Sequence, residues 1–262
     1  MNELLVAREE RVLRLTLNRD EKRNALSAAL CRELVNQCEG ADTDASVGCV
    51  LLDAVGGVFC AGMDMSETTG PEAAAQTAIH ERLFTLGLRM TKPLVVAVQG
   101  PALGGGVGLM AAAHVAVAAQ GTSFALTEIR VGMWPFVIWR AIEAAVGERR
   151  AVALAMTGRQ FSVQEALQWG LVHEVAPPVE LDDRATEVAH RLSGASPETM
   201  RRGLEFVRRG RGMSKEESGR LAAMLRAEVF ASADYREGVR AFQEKRAPRW
   251  PSLEQRRATT TS

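Results

Sequence analysis

The stretch Gly100-Pro101-Ala102-Leu103-Gly104-Gly105-Gly106-Val107-Gly108 connects a valine-rich run, Pro93 to Val98, to an alanine-rich helical segment. Glycines let a backbone approach a ligand closely. A helix that begins on them aims its free N–H groups and the positive end of its dipole at bound negative charge. The run is not a phosphate-binding P-loop, because no Gly-Lys-Ser/Thr follows it, and GxGxxG is missing from its usual place after the first strand. Taken alone, it reads equally well as a tight strand-to-helix connection.

Outward from that run, short apolar strands alternate with helices. Val12 to Leu17, Val47 to Asp53, His114 to Ala119 and Ser123 to Leu126 read as strands. Leu26, Leu30, Leu34 and Cys38 recur every four residues and predict a helix with one apolar face over Ser27 to Glu39. Glu72 to Met90 predicts a longer, more polar helix. This alternation is the α/β pattern.

The last third reads as helical, with no strand signal after about Ala176. Ser162 with Glu165 forms a capping box and Gly170 stops that helix. Ser196-Pro197 opens another, and Ser214 with Glu217 caps a third that carries Leu221, Met224, Leu225 and Val229. The chain is therefore expected to divide into an α/β core over 1–195 and a helical segment over 196–262, with a frayed polar tail from Arg256.

Composition narrows the function classes. Lys plus Arg and Asp plus Glu each total 32 among 262 residues, a balance that argues against nucleic acid as a partner. The most apolar run, Ala102 to Ala119, is broken by four glycines and a histidine, which argues against a membrane span. Met1 to Glu10 carries acids rather than a basic start, so no targeting leader is expected. Cys31, Cys38, Cys49 and Cys60 form no CxxC pair and are expected to be reduced thiols of a cytoplasmic protein. His80, His114, His173 and His190 show no metal-ligand spacing, so no metal is expected. His80 reads as an exposed helix residue and Cys60 as a small buried apolar one.

Two more segments carry chemistry beside the glycine run: Phe59-Cys60-Ala61-Gly62-Met63-Asp64, and Phe124-Ala125-Leu126-Thr127-Glu128 with its carboxylate at a strand end. Together with Arg23-Asn24-Ala25-Leu26-Ser27, the Thr157-Gly158, Ala166 and Gly170-Leu171-Val172 stretch, and Ala241-Phe242-Gln243-Glu244-Lys245-Arg246, they run collinearly over nearly the whole chain. In this pattern the sequence resembles the crotonase (enoyl-CoA hydratase/isomerase) family. The resemblance implies a spiral of repeated β-β-α units followed by a helical oligomerisation segment, assembled as a homotrimer or a dimer of trimers. It implies an acyl-CoA substrate, with coenzyme A part of that substrate and no separate cofactor. The thioester enolate would be held by the backbone N–H groups of Met63 and Gly105, and Glu128 would be the acid/base. Ala25, Ala61, Gly62, Asp64, Leu103, Gly104, Trp134 and Phe136 would contact substrate, and Lys22 and Arg23 would grip the CoA phosphates, with Lys245 and Arg246 as further contributors. Asp64 also reads as a support for its loop.

The sequence departs from the family pattern at two acid positions. Hydratases of the family carry a second glutamate where Gly108 stands, and other branches place an acid where Phe136 stands. Asp64, Glu67 and Glu81 are the remaining candidates for a second carboxylate. The bulky run Met133-Trp134-Pro135-Phe136-Val137-Ile138-Trp139 predicts a drier or differently shaped pocket, with Trp139 packing the core. Three readings stay open: a hydratase or isomerase working with one glutamate, an acyl-CoA thioester hydrolase, and a CoA-binding homologue without catalysis. Without the resemblance, Glu128 reads as a surface residue paired with Arg130.

Overall fold

The computed structural model describes residues 2–67 and 73–253. Six strands, β1 (Leu4–Glu9), β2 (Val12–Leu17), β3 (Cys49–Ala54), β4 (Leu94–Val98), β6 (Val115–Ala119) and β9 (Glu174–Ala176), form one sheet in the order β1-β2-β3-β4-β6-β9. A smaller sheet of β5 (Ala102–Leu103), β7 (Ser123–Ala125) and β8 (Gln160–Ser162) stands beside it. Only the β1–β2 and β7–β8 pairs are antiparallel.

Parallel strands need helical crossovers and cover on both faces, which accounts for their near-continuous apolar sequences. α1 (Ala28–Thr43), α2 (Ala73–Phe84), α3 (Leu86–Arg89) and α4 (Gly105–Ala112) lie among the crossovers. Val50, Leu52, Val96 and Val98 turn into the main core with Leu30, Leu34 and Phe84. Their alternates Leu51, Val95 and Val117 face a second cluster formed with Leu181, Ala185 and Val188. Those three lie on α8 (Leu181–Ser193), which follows α5 (Trp139–Val146), α6 (Glu148–Thr157) and α7 (Val163–Trp169).

After α8 the chain is helical: α9 (Pro197–Gly210), α10 (Lys215–Ala231) and α11 (Ala233–Gln243). Buried Asp234 ties their ends together, accepting from Ser196 Oγ at 2.6 Å and from Ser252 Oγ at 2.7 Å. Few apolar side chains of these helices are buried; Phe230, Val239 and Phe242 are exposed.

The strands read from the sequence are present, and both capping boxes form with the expected glutamates. The helix expected over Glu72 to Met90 is two helices, α2 and α3, separated at Thr85; Glu72 lies outside the described residues, as does the tail from Arg256. β1 has no counterpart in the sequence reading. Only its first residue is buried, so it shows no apolar alternation. Among the described residues no helix is long and apolar enough to cross a membrane.

Candidate active site

Two loops meet on the C-terminal side of the parallel sheet. After β3 the chain runs through Ala61 to Asp64 beside the turn that precedes α1. Ala61 N donates to Arg23 O at 3.0 Å, Leu26 N to Gly62 O at 2.8 Å and Asp64 N to Leu26 O at 3.0 Å. Because the bridge bonds run through Leu26, the Met63 N–H is turned away from that partner. On the other side, Leu103 N donates to Cys60 O at 2.9 Å, bringing in the glycine run.

The glycines are needed where the two loops touch. A Cβ on Gly62 would stand 3.0 Å from Leu103 O and 3.4 Å from Gly105 N, and one on Gly106 only 2.4 Å from Cys60 O. Gly104 takes φ +50°, a region glycine enters without cost, and α4 begins at the next residue. Gly105 N–H is thus a first-turn donor with no intrahelical acceptor.

Asp64 braces this arrangement. Its carboxylate accepts from Ser66 Oγ at 2.6 Å and from buried Arg19 Nη2 at 3.0 Å, and these bonds, the Ser66 hydroxyl foremost, hold its pKa below the usual carboxylate range. Arg19 also reaches Glu3 at 2.8 Å and the Ala25 carbonyl at 2.5 Å. Asp64 and Ala25 therefore support the loop and are not among the lining residues of the cavity described below.

Glu128 sits in a short 3-10 turn after β7 and is 8% exposed. Its Oε2 has no hydrogen-bond partner among the described residues, and a Cβ on Gly104 would lie 2.9 Å from its Oε1. Burial pushes its pKa upward, opposed only by a bond from its own N–H. It is not paired with Arg130, whose guanidinium donates to Gly158 O at 2.7 Å.

A cavity of about 490 Å³ opens over these groups. Its walls bring together Ala61, Gly62, Met63, Leu103, Gly104, Gly105, Glu128, Trp134 and Phe136. Phe136 stands 75% exposed at the mouth, while Trp134 packs against Trp139 with ring centroids 5.5 Å apart. Lys22 and Arg23 do not line the cavity; they are exposed on the turn that bonds to Ala61. Arg246 is held by Glu237 and Glu244, at 2.6 Å each.

Glu128 is the only carboxylate among the described lining residues. Glu67 Oε2 accepts from Ala28 N at 2.7 Å, at the start of α1, and Glu81 is exposed. The position of the absent second acid is filled: a Cβ on Gly108 would lie 2.3 Å from Ile138 Cγ2 and 3.1 Å from Phe84 Cδ1. One lining residue overturns its sequence reading. His80 is 7% exposed, lines the cavity and has an Nε2 without a partner, and burial lowers its pKa. Its four-residue spacing to Phe84, whose ring centroid lies 6.2 Å away, was the available signal that it shares the apolar face of α2. No group of three metal-ligating side chains occurs among the described residues.

The sequence pattern of the enoyl-CoA hydratase/isomerase family matches residues 7–254. The chain belongs to the enoyl-CoA hydratase/isomerase family. It is 33% identical over 255 residues to an enoyl-CoA hydratase of Mycobacterium tuberculosis, covering 93% of this chain and 94% of the relative. A 1,2-epoxyphenylacetyl-CoA isomerase of Escherichia coli is 31% identical over 258 residues, covering 92% and 95%. The crystal structure of an enoyl-CoA hydratase from Mycobacterium smegmatis superposes with a TM-score of 0.90 at 31% identity, covering 95% of this chain and 99% of that one. The α/β architecture described above is the crotonase fold of this family.

Proposed function

We propose that this enzyme hydrates or isomerises an enoyl-CoA thioester through an enolate, with Glu128 as its single carboxylate acid/base and the Met63 and Gly105 N–H groups holding the enolate oxygen. The observation that carries this reading is the Glu128 carboxylate. It is buried, has one oxygen without a partner, and is packed against Gly104 where α4 begins. Burial raises its pKa, which suits a group that must both take and give a proton near neutrality. Neutral backbone donors neither titrate nor reorganise, and loss of one such donor costs roughly 3–4 kcal/mol of transition-state stabilisation.

The acyl part would lie in the apolar cavity, against Trp134, with Phe136 at its mouth. The CoA phosphates would lie at exposed Lys22 and Arg23, whose turn is bonded to the Met63 loop. Coenzyme A enters as part of the substrate, and the reading calls for no further cofactor. Exposed Phe230, Val239 and Phe242 support assembly through the segment 196–262, as a trimer or a dimer of trimers. The four free, buried thiols fit a reducing compartment such as the cytoplasm.

The test uses butyryl-CoA and a panel of trans-2-enoyl-CoAs in heavy water, read by product mass. Wild-type enzyme is expected to exchange the α-protons of butyryl-CoA, and Glu128→Gln to lose this by a factor on the order of 10² to 10⁴ while still binding the thioester. Exchange that survives in Glu128→Gln refutes the assignment. Release of free CoA would instead identify a thioester hydrolase.

A further inference from the structure

We propose that His80 is a second proton-transfer group of this active site, standing in for the absent carboxylate and taking the proton of the attacking water through Nε2. The proposal rests on the reading of Glu128, Met63 and Gly105 given above.

The geometry places an imidazole where the reaction lacks a base. The carboxylate of Glu128 abuts Gly104, and a Cβ on the next residue, Gly105, would lie 3.3 Å from Phe84 Cζ. Phe84 is one helical turn after His80 on α2, and their rings are in contact range. The glycine turn that would hold the enolate oxygen is therefore flanked by Glu128 on one side and by the His80–Phe84 face of α2 on the other. The usual position for a second acid, on α4, is closed by Ile138 and Phe84.

His80 is the titratable lining group on the α2 side. It is buried to 93%, and its Nε2 has no partner among the described residues. A buried polar atom without a partner is costly and calls for an explanation. Burial also keeps the ring neutral, the form that can accept a proton. The charged groups that line the cavity are Glu128 and Arg130, and Glu67 is close enough for its charge to act on His80. On α2 itself Glu81 and Arg82 are exposed.

The step balances with these groups alone. The oxygen of water bonds to Cβ of the enoyl thioester, and the water proton passes to His80 Nε2. The π electrons of the double bond move to the carbonyl, and the enolate oxygen is held by the N–H groups of Met63 and Gly105. Collapse of the enolate takes the proton of the Glu128 carboxyl onto Cα. The imidazolium and carboxylate left behind return to their starting forms when the proton passes from His80 to Glu128 through water.

His80→Gln and His80→Asn are compared with wild type in two reactions. One is hydration of the trans-2-enoyl-CoA panel. The other is α-proton exchange of butyryl-CoA in heavy water, which needs Glu128 and the N–H groups but no base for water. The expected result is a fall in kcat for hydration on the order of 10²-fold or more in both variants. KM and α-proton exchange should stay within a few-fold of wild type. Retained exchange shows that the variants are folded, with the rest of the site intact. The proposal is overturned if hydration persists in the variants, or if exchange falls in parallel with hydration. It is also overturned if wild-type enzyme exchanges α-protons but adds water to no member of the panel. Absence of exchange in wild type would instead refute the Glu128 reading.

Discussion

Replacing Gly108 by alanine should destabilise this protein, against the usual effect of that change inside a helix. Alanine is favoured over glycine in a helix interior by about 1 kcal/mol. Here the new methyl would lie 2.3 Å from Ile138 Cγ2, 2.9 Å from Ile138 Cβ and 3.1 Å from Phe84 Cδ1. Comfortable carbon contacts are about 3.5–4.0 Å. Ile138 is 1% exposed, and its branched side chain has little χ1 freedom with which to yield. Overpacking of this kind costs about 1–3 kcal/mol, so the net change is a loss of up to about 2 kcal/mol. In an Ile138→Ala background the loss should shrink. That change alone costs about 2–5 kcal/mol through the void it leaves. The Gly108→Ala methyl would then be rid of the 2.3 Å contact with Cγ2, while the Cβ that alanine retains at 2.9 Å and Phe84 Cδ1 at 3.1 Å still crowd it. The two changes should couple by about 1–2 kcal/mol, within the range for residues in contact. Denaturant unfolding of the four proteins, at one fixed protein concentration, measures the cycle. A coupling below about 0.5 kcal/mol would show that the pocket yields easily, and that steric exclusion does not explain the absent second acid.

Stability should also report the strained state of Glu128. Its folded pKa is raised above 4.5 by burial, so the native state holds the proton more tightly than the unfolded chain. The stability this confers is complete below about pH 4.5 and is lost as pH rises through the folded value. Glu128→Gln should therefore melt at or above the wild-type temperature at pH 8, with the gap closing toward pH 4; a lower melting point at pH 8 contradicts this. Arg19→Met leaves Asp64 buried without its cation and should cost roughly 3–5 kcal/mol in a denaturant melt. Asp64→Asn in that background should recover part of the loss, and no recovery would mean that the charge pair is unimportant. Burial pushes the thiols of Cys31, Cys38, Cys49 and Cys60 up to about 12. None should react with an aromatic disulfide reagent at pH 8 in the folded protein, and all four should react in denaturant; rapid native labelling would show that a core element opens.

Much of the site was legible because its parts are backbone devices with a sequence signature. Gly62, Gly104 and Gly106 are irreplaceable where they stand, and a run of glycines after a valine-rich strand is visible in one dimension. Glu128 was legible as a carboxylate at a strand end, but its isolation was not. That depends on Arg130 turning to Gly158, a partner 28 residues away. His80 was misread for a related reason. The amphipathic pattern of α2 is weak, and only packing shows which face meets the cavity. The brace at Asp64 was anticipated; its partner Arg19 was not, because an arginine in a polar turn usually stays solvated. β1 escaped notice because an edge strand with one buried side chain has no alternation to read.

The cavity draws on residues 63, 80, 105 and 128, each delivered by a different turn of a mostly parallel spiral. No two neighbouring contributors can meet until the strands between them have paired across long stretches of chain, and such non-local pairing is the slow part of folding. Helices capped by their own Ser–Glu boxes can form early and give a native-like far-ultraviolet signal well before the cavity exists. During refolding, recovered catalysis should therefore lag recovered helicity. For this architecture, turnover works as a clock for completion of the sheet.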